Sequence, residues 1–187
     1  MPKINGNELR SGNVINHNGG LWQCMKVQHV KPGKGGAFAQ VELRNLRNNS
    51  KLNERFRSAD KVERVRLEQR EQQFLYESDA KMIFMDLETY DQIELDNSLL
   101  GERRPFLVDG MTVQIEYFEE EALSVQLPEK VKVKIEDTEP SVKGQTATSS
   151  FKPAKLENGI RIMVPQFLNT HEEVIVSTET FEYVERA

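Results

Sequence analysis

The sequence has very little cysteine and no long apolar run. Cys24 is the single cysteine among 187 residues, which excludes a disulfide within one chain and favours a reducing compartment. No apolar run approaches the roughly 20 residues that a membrane-spanning helix needs. Residues 1–6 also lack the apolar core of a signal peptide. We therefore expect a cytoplasmic protein that does not enter a membrane.

Catalytic and metal-binding patterns are also missing. The three histidines, His17, His29 and His171, are scattered without a ligand pair at metal-site spacing. Cys24 lies in a strand-like pattern, where a small buried side chain is the favoured interpretation over a nucleophile. Consecutive glutamates at residues 119–121 suit a solvated hairpin turn. We expect no enzymatic activity, no metal and no cofactor.

Charge is abundant but unevenly distributed. The chain is 29% charged and 37% hydrophobic, with a net charge of −5, which favours small cores with much surface. Residues 1–64 carry a net +7, residues 65–127 carry −10 and residues 128–187 carry −2. The basic third is typical of a surface that meets phosphate backbones. Charge alone leaves open that the asymmetry only keeps adjacent domains soluble.

Alternation of apolar and polar residues predicts β-strands near the N-terminus. In residues 21–27 the odd positions Leu21, Met25 and Val27 can share a face. In residues 37–44 every second residue is apolar, beginning with Ala37 and ending with Leu43. Such alternation marks half-buried strands. Several short strands in about 60 residues predict a small barrel.

The rest of the chain continues as strands, with one exception. Further strands are predicted at residues 65–76, 81–86, 111–118, 123–127, 131–135, 159–165, 173–178 and 181–184. Residues 88–100 are predicted as a short helix, because acidic residues open the segment and Gly101 follows it. Residues 137–153, rich in Thr, Ser, Gly and Pro, are predicted as a long loop. With boundaries near residues 64 and 127, we predict three small β domains, 1–64, 65–127 and 128–187.

A glycine-rich turn between the first two predicted strands carries a lysine at its apex. Glycine supplies positive φ and proline presets φ, so this segment suits a hairpin tip. The turn does not require Lys34, which glycines flank on both sides. From these residues alone, Lys34 is either a solvated turn lysine or a probe for a negatively charged partner. The segment reads Lys31-Pro32-Gly33-Lys34-Gly35-Gly36.

Several motifs resemble those of the bacterial elongation factor P family. The hairpin is one of them, from Val30 through the glycines to Ala37-Phe38-Ala39. The second region lies near the C-terminus and comprises Ile135-Glu136-Asp137-Thr138-Glu139-Pro140, Lys143-Gly144, Lys152-Pro153-Ala154, Gly159, Ile162, Val164-Pro165 and Glu182-Tyr183-Val184. The resemblance runs from the first strands to the last residues.

The resemblance implies both an architecture and a function. The family has an SH3-like, KOW-type domain followed by two OB-type domains, in a tRNA-like elongated shape. It implies a monomer that contacts both ribosomal subunits, beside the peptidyl-tRNA in the P site, and relieves stalls at consecutive prolines. Lys34 would lie at the acceptor end of that tRNA after modification by a lysine-modifying enzyme. The alternative is a paralogous RNA- or ribosome-binding factor with the same fold and another duty.

The resemblance also assigns positions near the C-terminus. Tyr183 and Arg186 occupy positions expected to contact tRNA, although Tyr183 could equally pack on a strand face and Arg186 could belong to a frayed terminus. The family loop Gly-Asp-Thr corresponds to Gly144-Gln145-Thr146, which is expected near the small subunit. His171 replaces a common glycine, so we expect a turn residue at positive φ and a local loop difference.

Overall fold

The computed structural model describes residues 2–141 and 150–187. This part of the chain contains sixteen β-strands and three short 3-10 helices, and no α-helix among the described residues. By their contacts, the residues form two compact units, Met1–Gln69 with Glu116–Ser124, and Arg70–Ile115 with Val125–Ala187. The domain boundaries at residues 64 and 127 stay predictions.

The first sheet has six strands in the order β1-β6-β2-β3-β4-β5. Its buried side chains form two clusters, and the larger one runs from Leu9 to Val62 and includes Ala39, Val41 and Leu43 at 0% exposure. The predicted inward face of β4 is therefore confirmed. The strands are β1 (Lys3–Asn5), β2 (Val14–His17), β3 (Gly20–Val30), β4 (Phe38–Asn45), β5 (Lys51–Arg57) and β6 (Lys61–Val65).

The predicted shared face of Leu21, Met25 and Val27 on β3 is wrong. Leu21 is buried in a cluster with Val14 and Val65, whereas Val27 packs on the cluster that contains Cys24, and Met25 is 43% exposed. The pairing of β3 with β4 shifts between Cys24 and Lys26. A β-bulge inserts an extra residue and reverses which alternate positions face inward.

Residue 6 must be glycine because the backbone of Arg57 lies very close to it, and not because of its φ angle. A Cβ at Gly6 would lie 2.2 Å from the carbonyl oxygen of Arg57. We expect Gly6→Ala to lower the free energy of unfolding by about 1–3 kcal/mol, because the end of β5 must shift. Urea denaturation measures this loss. Gly36→Ala is the matched control, since its Cβ would meet nothing within 4 Å, and an equal loss in both variants would contradict the explanation.

The second sheet has five strands in the order β11-β10-β7-β8-β9. Strand β8 has the bounds predicted from the sequence. Phe74 and Phe84, both buried, pair across β7 and β8 with ring centroids 5.6 Å apart. The strands are β7 (Glu68–Ser78), β8 (Lys81–Asp86), β9 (Gln92–Asp96), β10 (Thr112–Phe118) and β11 (Glu121–Gln126).

The helix predicted at residues 88–100 is wrong. Residues 92–96 instead form β9, and two short 3-10 helices follow it, Asn97–Leu99 and Gly101–Phe106. Ile93 pairs with Phe84 and Leu95 with Met82, so alternation, rather than helical periodicity, governs the segment. Tyr90 has φ 63, which an α-helix does not accommodate. The acidic residues that suggested a helix start lie in the turn between β8 and β9.

The third sheet has five strands in the order β14-β13-β12-β15-β16. Its core runs from Val133 to Val176, and Phe106 of the same compact unit packs into it. Phe181, at φ 63, contacts Phe106 edge to face with ring centroids 5.3 Å apart. The strands are β12 (Lys130–Thr138), β13 (Phe151–Leu156), β14 (Arg161–Pro165), β15 (Glu173–Ser177) and β16 (Tyr183–Arg186).

The loop predicted at residues 137–153 is wrong at both ends, and residues 142–149 lie outside the described residues. Strand β12 continues to Thr138 and β13 begins at Phe151. The Thr138 hydroxyl donates to the Pro153 carbonyl at 2.9 Å, and Lys152 is buried at 2% exposure. Pairing and burial override the Ser, Thr and Pro composition that suggested a loop.

Candidate functional site

The glycine-rich segment forms the tip of the β3–β4 hairpin, as predicted. Val30 pairs with Phe38 at the base of the tip, and residues 31–36 are all exposed. Gly35 has φ 99, a conformation that favours glycine. A Cβ at Gly33, Gly35 or Gly36 would contact nothing within 4 Å. The segment is therefore a narrow projection without packing of its own.

Lys34 stands on this projection without a partner. Within residues 2–141 and 150–187 its amine makes no hydrogen bond or ion pair. Its flanking glycines offer no side chain for it to pack on. An ammonium group in this position is free to take a covalent addition or an anionic partner, and its loss removes nothing that holds the fold together.

Tyr183 and Arg186 lie on β16, in the compact unit that does not contain Lys34. Tyr183 is half-buried against the third sheet's core and lines a surface groove of about 650 Å³ with Phe151 and Met163. Arg186 donates to Glu172 at 2.7 Å, and its guanidinium carbon lies 5.2 Å from the centre of the Phe167 ring. Tyr183 is half-buried and Arg186 is exposed, so neither position decides between packing and RNA contact.

Of the remaining predicted positions, the structure describes His171. Gly144, Gln145 and Thr146 lie outside the described residues. His171 has φ 74, which is the positive φ expected of a residue that stands in a glycine position. Its backbone N–H donates to the Ile135 carbonyl at 2.8 Å, so the turn connects to β12.

The histidines are held in structural contacts. His17 lies 2.9 Å from the Glu54 carboxylate and meets the Phe56 ring edge to face. His29 lies 3.1 Å from the Arg10 guanidinium. Among the described residues, no group of three His, Cys, Asp or Glu side chains could hold a metal ion. In the same part of the chain, no helix is long and apolar enough to cross a membrane.

Cys24 is expected to be inert in the native protein. Its side chain is 1% exposed, and burial raises the pKa of its thiol from 9.0 to about 11. At pH 8 the thiolate fraction is then about 100-fold smaller than in the unfolded chain. We expect a thiol reagent to label the native protein slowly and the urea-unfolded protein at once.

The raised pKa of Cys24 also makes the stability of the protein depend on pH. Above pH 9 the unfolded thiol loses its proton while the native thiol keeps it, so Cys24 lowers stability as the pH rises from 9 to 11. Cys24→Ala should remove this dependence. Rapid stoichiometric labelling of the native protein at pH 8 would contradict the buried assignment.

Arg55 is a surface residue that the sequence reading missed. Residues 51–57 form β5, where Lys51, Asn53, Arg55 and Arg57 are exposed and the residues between them are not. The guanidinium carbon of Arg55 lies 4.1 Å from the centre of the Phe38 ring. Residues 51–57 do alternate between exposed and covered positions. The strand was not predicted because Glu54 stands between Leu52 and Phe56, at a position where the pattern calls for an apolar residue.

Models of three protein-domain families match consecutive stretches of the chain. The elongation factor P KOW-like domain matches residues 5–62, and the elongation factor P OB domain matches residues 67–125. The elongation factor P C-terminal domain matches residues 131–186. Together with the observed sheets, these matches confirm the predicted all-β fold with a KOW-type domain followed by OB-type domains.

Individual proteins agree with the family models. The chain is 71% identical to elongation factor P of Ruegeria pomeroyi and 70% identical to that of a Jannaschia species, over 187 residues and all of both chains. The solved structure of eukaryotic translation initiation factor 5A from Methanococcus jannaschii is similar with a TM-score of 0.56 and 25% identity. That match covers 67% of this chain and 92% of the other.

Proposed function

The chain belongs to the elongation factor P family and is a translation elongation factor, and we propose that it relieves ribosomes stalled at consecutive prolines. It binds beside the peptidyl-tRNA in the P site, in the cytoplasm, as a monomer. The observation that carries the proposal is the exposed Lys34 at the apex of the hairpin tip, which has no bonding partner among the described residues.

Positioning rather than catalysis is the proposed mechanism. Proline fixes its own φ and restricts the residue before it, so a nascent chain that ends in prolines holds the peptidyl ester away from attack geometry. A protein group that restrains the tRNA acceptor end removes unproductive orientations, an entropic contribution of up to several kcal/mol. The ribosome remains the catalyst, and the factor itself needs no nucleophile, base or metal.

Lys34 is proposed as the group that reaches the tRNA. A compact ammonium on a flexible stem pairs with phosphates and donates to 2′-hydroxyls. A lysine-modifying enzyme that lengthens this side chain and keeps its positive charge extends that reach. The exposed, open surroundings of the tip leave room for such an addition. Intact mass of the protein purified from its native host determines whether Lys34 is modified.

Tyr183, Arg186 and the loop with Gly144, Gln145 and Thr146 are proposed as further tRNA and ribosome contacts. The ion pair of Arg186 with Glu172 uses one terminal nitrogen. The other donors of the guanidinium fork are available for a phosphate. These contacts belong to the proposed C-terminal domain, residues 128–187, whereas Lys34 belongs to the proposed domain of residues 1–64.

Reconstituted translation of a reporter with three consecutive prolines tests the function. We expect full-length product to accumulate faster when natively modified protein is added, with no effect on a matched reporter in which alanines replace the prolines. Equal stalling with and without the protein would overturn the proposal. That result would favour a paralogous factor with the same fold and another duty.

A further inference from the structure

Residues 26–30, which we call the outer half of β3, lead directly into the hairpin tip. Strand β2 pairs with β3 only as far as Gln23, whereas β4 pairs with it up to Val30. The pairing with β4 shifts between Cys24 and Lys26, and a bulge of this kind bends its strand. The direction of the tip therefore depends on what holds β3 at and beyond the bulge.

The residues immediately before β2 lie along β3 at this bulge. The Gly12 N–H donates to the Cys24 carbonyl at 2.7 Å, and the Cys24 N–H donates to the Asn13 carbonyl at 2.8 Å. The Ser11 hydroxyl donates to the Met25 carbonyl at 2.6 Å. This short segment continues the support that β2 gives to the first half of β3.

Arg10, in the same segment, reaches the outer half of β3 through His29. Arg10 Nη1 lies 3.1 Å from His29 Nε2, across 19 residues of sequence. The same nitrogen lies 2.9 Å from the Leu9 carbonyl oxygen and 3.1 Å from the Asn7 carbonyl oxygen. Arginine carries donors and no acceptor, so its N–H groups are shared among these atoms and His29 Nε2 accepts. Arg10 thus joins its own segment to the stem of the hairpin.

The contact lies over the end of the larger core cluster of the first sheet. His29 pairs with Ala39, and directly paired residues of antiparallel strands point to the same face. Ala39 and Leu9 are both at 0% exposure in that cluster. His29 Nε2 also lies 3.3 Å from the Leu9 carbonyl oxygen. The side chain of His29 therefore connects the outer half of β3 to the body of the sheet.

A small tilt at the bulge is amplified at the tip. Five residues separate Met25 from Val30, about 17 Å of strand, so a tilt of about 10° moves the tip by about 3 Å. Misplacement of a functional group by about 1 Å can cost about 100-fold in rate. Because the glycines of the tip provide no packing of their own, the direction of the stem decides where the Lys34 amine lies.

A purely local role for Arg10 is the alternative explanation. Its bonds to the Asn7 and Leu9 carbonyls remain within its own turn, and that role needs no partner on β3. The contact with His29, however, spans 19 residues, and Ser11 bonds to β3 from the same segment. Two side chains of one segment that both reach β3 favour support of the strand over a local turn.

We propose that Arg10 and His29 form a clamp that fixes the direction of the Lys34 tip, with Arg10 as a positioning residue that acts through the stem of the hairpin. The inference rests on the proposed function, because it states how Lys34 is directed at the tRNA acceptor end. Neither side chain of the clamp needs to contact RNA. Loss of the clamp leaves Lys34 and its charge in place but allows the outer half of β3 to tilt.

Residual dipolar couplings of the backbone amides test the clamp without a ribosome. They measure the orientation and order of residues 26–30 relative to the rest of the sheet. We expect Arg10→Ala and His29→Ala to reduce the couplings of these residues and to leave those of β2 and β6 unchanged. His29→Gln should keep the wild-type couplings, because the glutamine Oε1 accepts from Arg10 and lies as many bonds from Cα as histidine Nε2.

The proline reporter tests whether the direction of the tip matters. A net hydrogen bond shifts a population about two- to tenfold, so at saturating factor each alanine variant should slow relief of stalling by about that much. The concentration for half-maximal relief should stay unchanged, because Lys34 is retained. The double alanine variant should be no slower than His29→Ala, since the two residues act as one unit, and His29→Gln should restore most of the rate. Arg66→Ala removes another exposed arginine of the same compact unit and should have no effect.

The outcomes separate the clamp from the proposed function. If either alanine variant keeps the wild-type couplings, the clamp is wrong even where the protein relieves stalling. If the couplings change but both variants relieve stalling at the wild-type rate, the positioning role is wrong. If the couplings change as expected and wild-type protein leaves the reporter stalled, the clamp stands and the proposed function fails. Urea denaturation of each variant confirms that the protein is folded.

Discussion

Lys34→Ala is expected to abolish relief of stalling at three consecutive prolines while leaving the free energy of unfolding within about 0.5 kcal/mol of wild type. The side chain is exposed, and within the described residues it has no bonding partner, so the fold loses no contact. The ribosome loses the charged group at the apex of the tip. The rate of full-length synthesis measures the relief of stalling, and urea denaturation of the same preparations measures the free energy of unfolding.

Lys31→Ala is the matched control for this prediction. Lys31 is another exposed lysine of the same tip, so its removal changes net charge equally but leaves the apex intact. We expect it to retain most of the relief. Full activity of Lys34→Ala would refute the proposed role of Lys34. A large loss of stability would instead assign Lys34 a structural role.

Strand prediction succeeded where the strand itself carries no irregularity. Strand β8 was predicted with its observed bounds, and Ala39 to Leu43 on β4 face the core as expected. The inward assignment of Met25 failed because a bulge after Cys24 shifts the alternation. A bulge depends on the pairing of two distant segments, which a single strand's pattern does not contain. The same limit explains β9, which only its pairing with β8 stabilises against a helix.

The site was predictable only in part, for related reasons. The Lys34 tip could be predicted because glycine and proline act locally on the backbone. The exposed position of Arg55 could not, because it depends on the pairing of β5 with β4 and on contact with the Phe38 ring. Lys152 was read as part of a polar loop, although pairing with Val164 turns it inward. Contacts distant in sequence decide these roles.

Lys152→Ala is expected to be among the most destabilising single changes at a charged residue of this chain. Lys152 is 2% exposed, on the same inward face of β13 as Ala154 and Leu156. Its amine donates to the backbone carbonyl of Glu139, at the start of the segment before β13. Truncation leaves a cavity and takes a donor from that carbonyl, so we expect a loss of about 3 kcal/mol, measured by urea denaturation.

Lys152→Met separates the buried stem from the amine. Methionine keeps an unbranched apolar chain and removes a charge that burial makes costly. If the stem provides most of the stabilisation, Lys152→Met should lie within about 1.5 kcal/mol of wild type. Lys155→Ala is the control, because Lys155 lies on the opposite face of β13. It removes an ion pair between Lys155 and Glu136, whose side chains are 42% and 53% exposed, respectively. It should cost under about 1 kcal/mol. If Lys152→Met were as damaging as Lys152→Ala, the bond to Glu139 rather than packing would hold β13 to the end of β12.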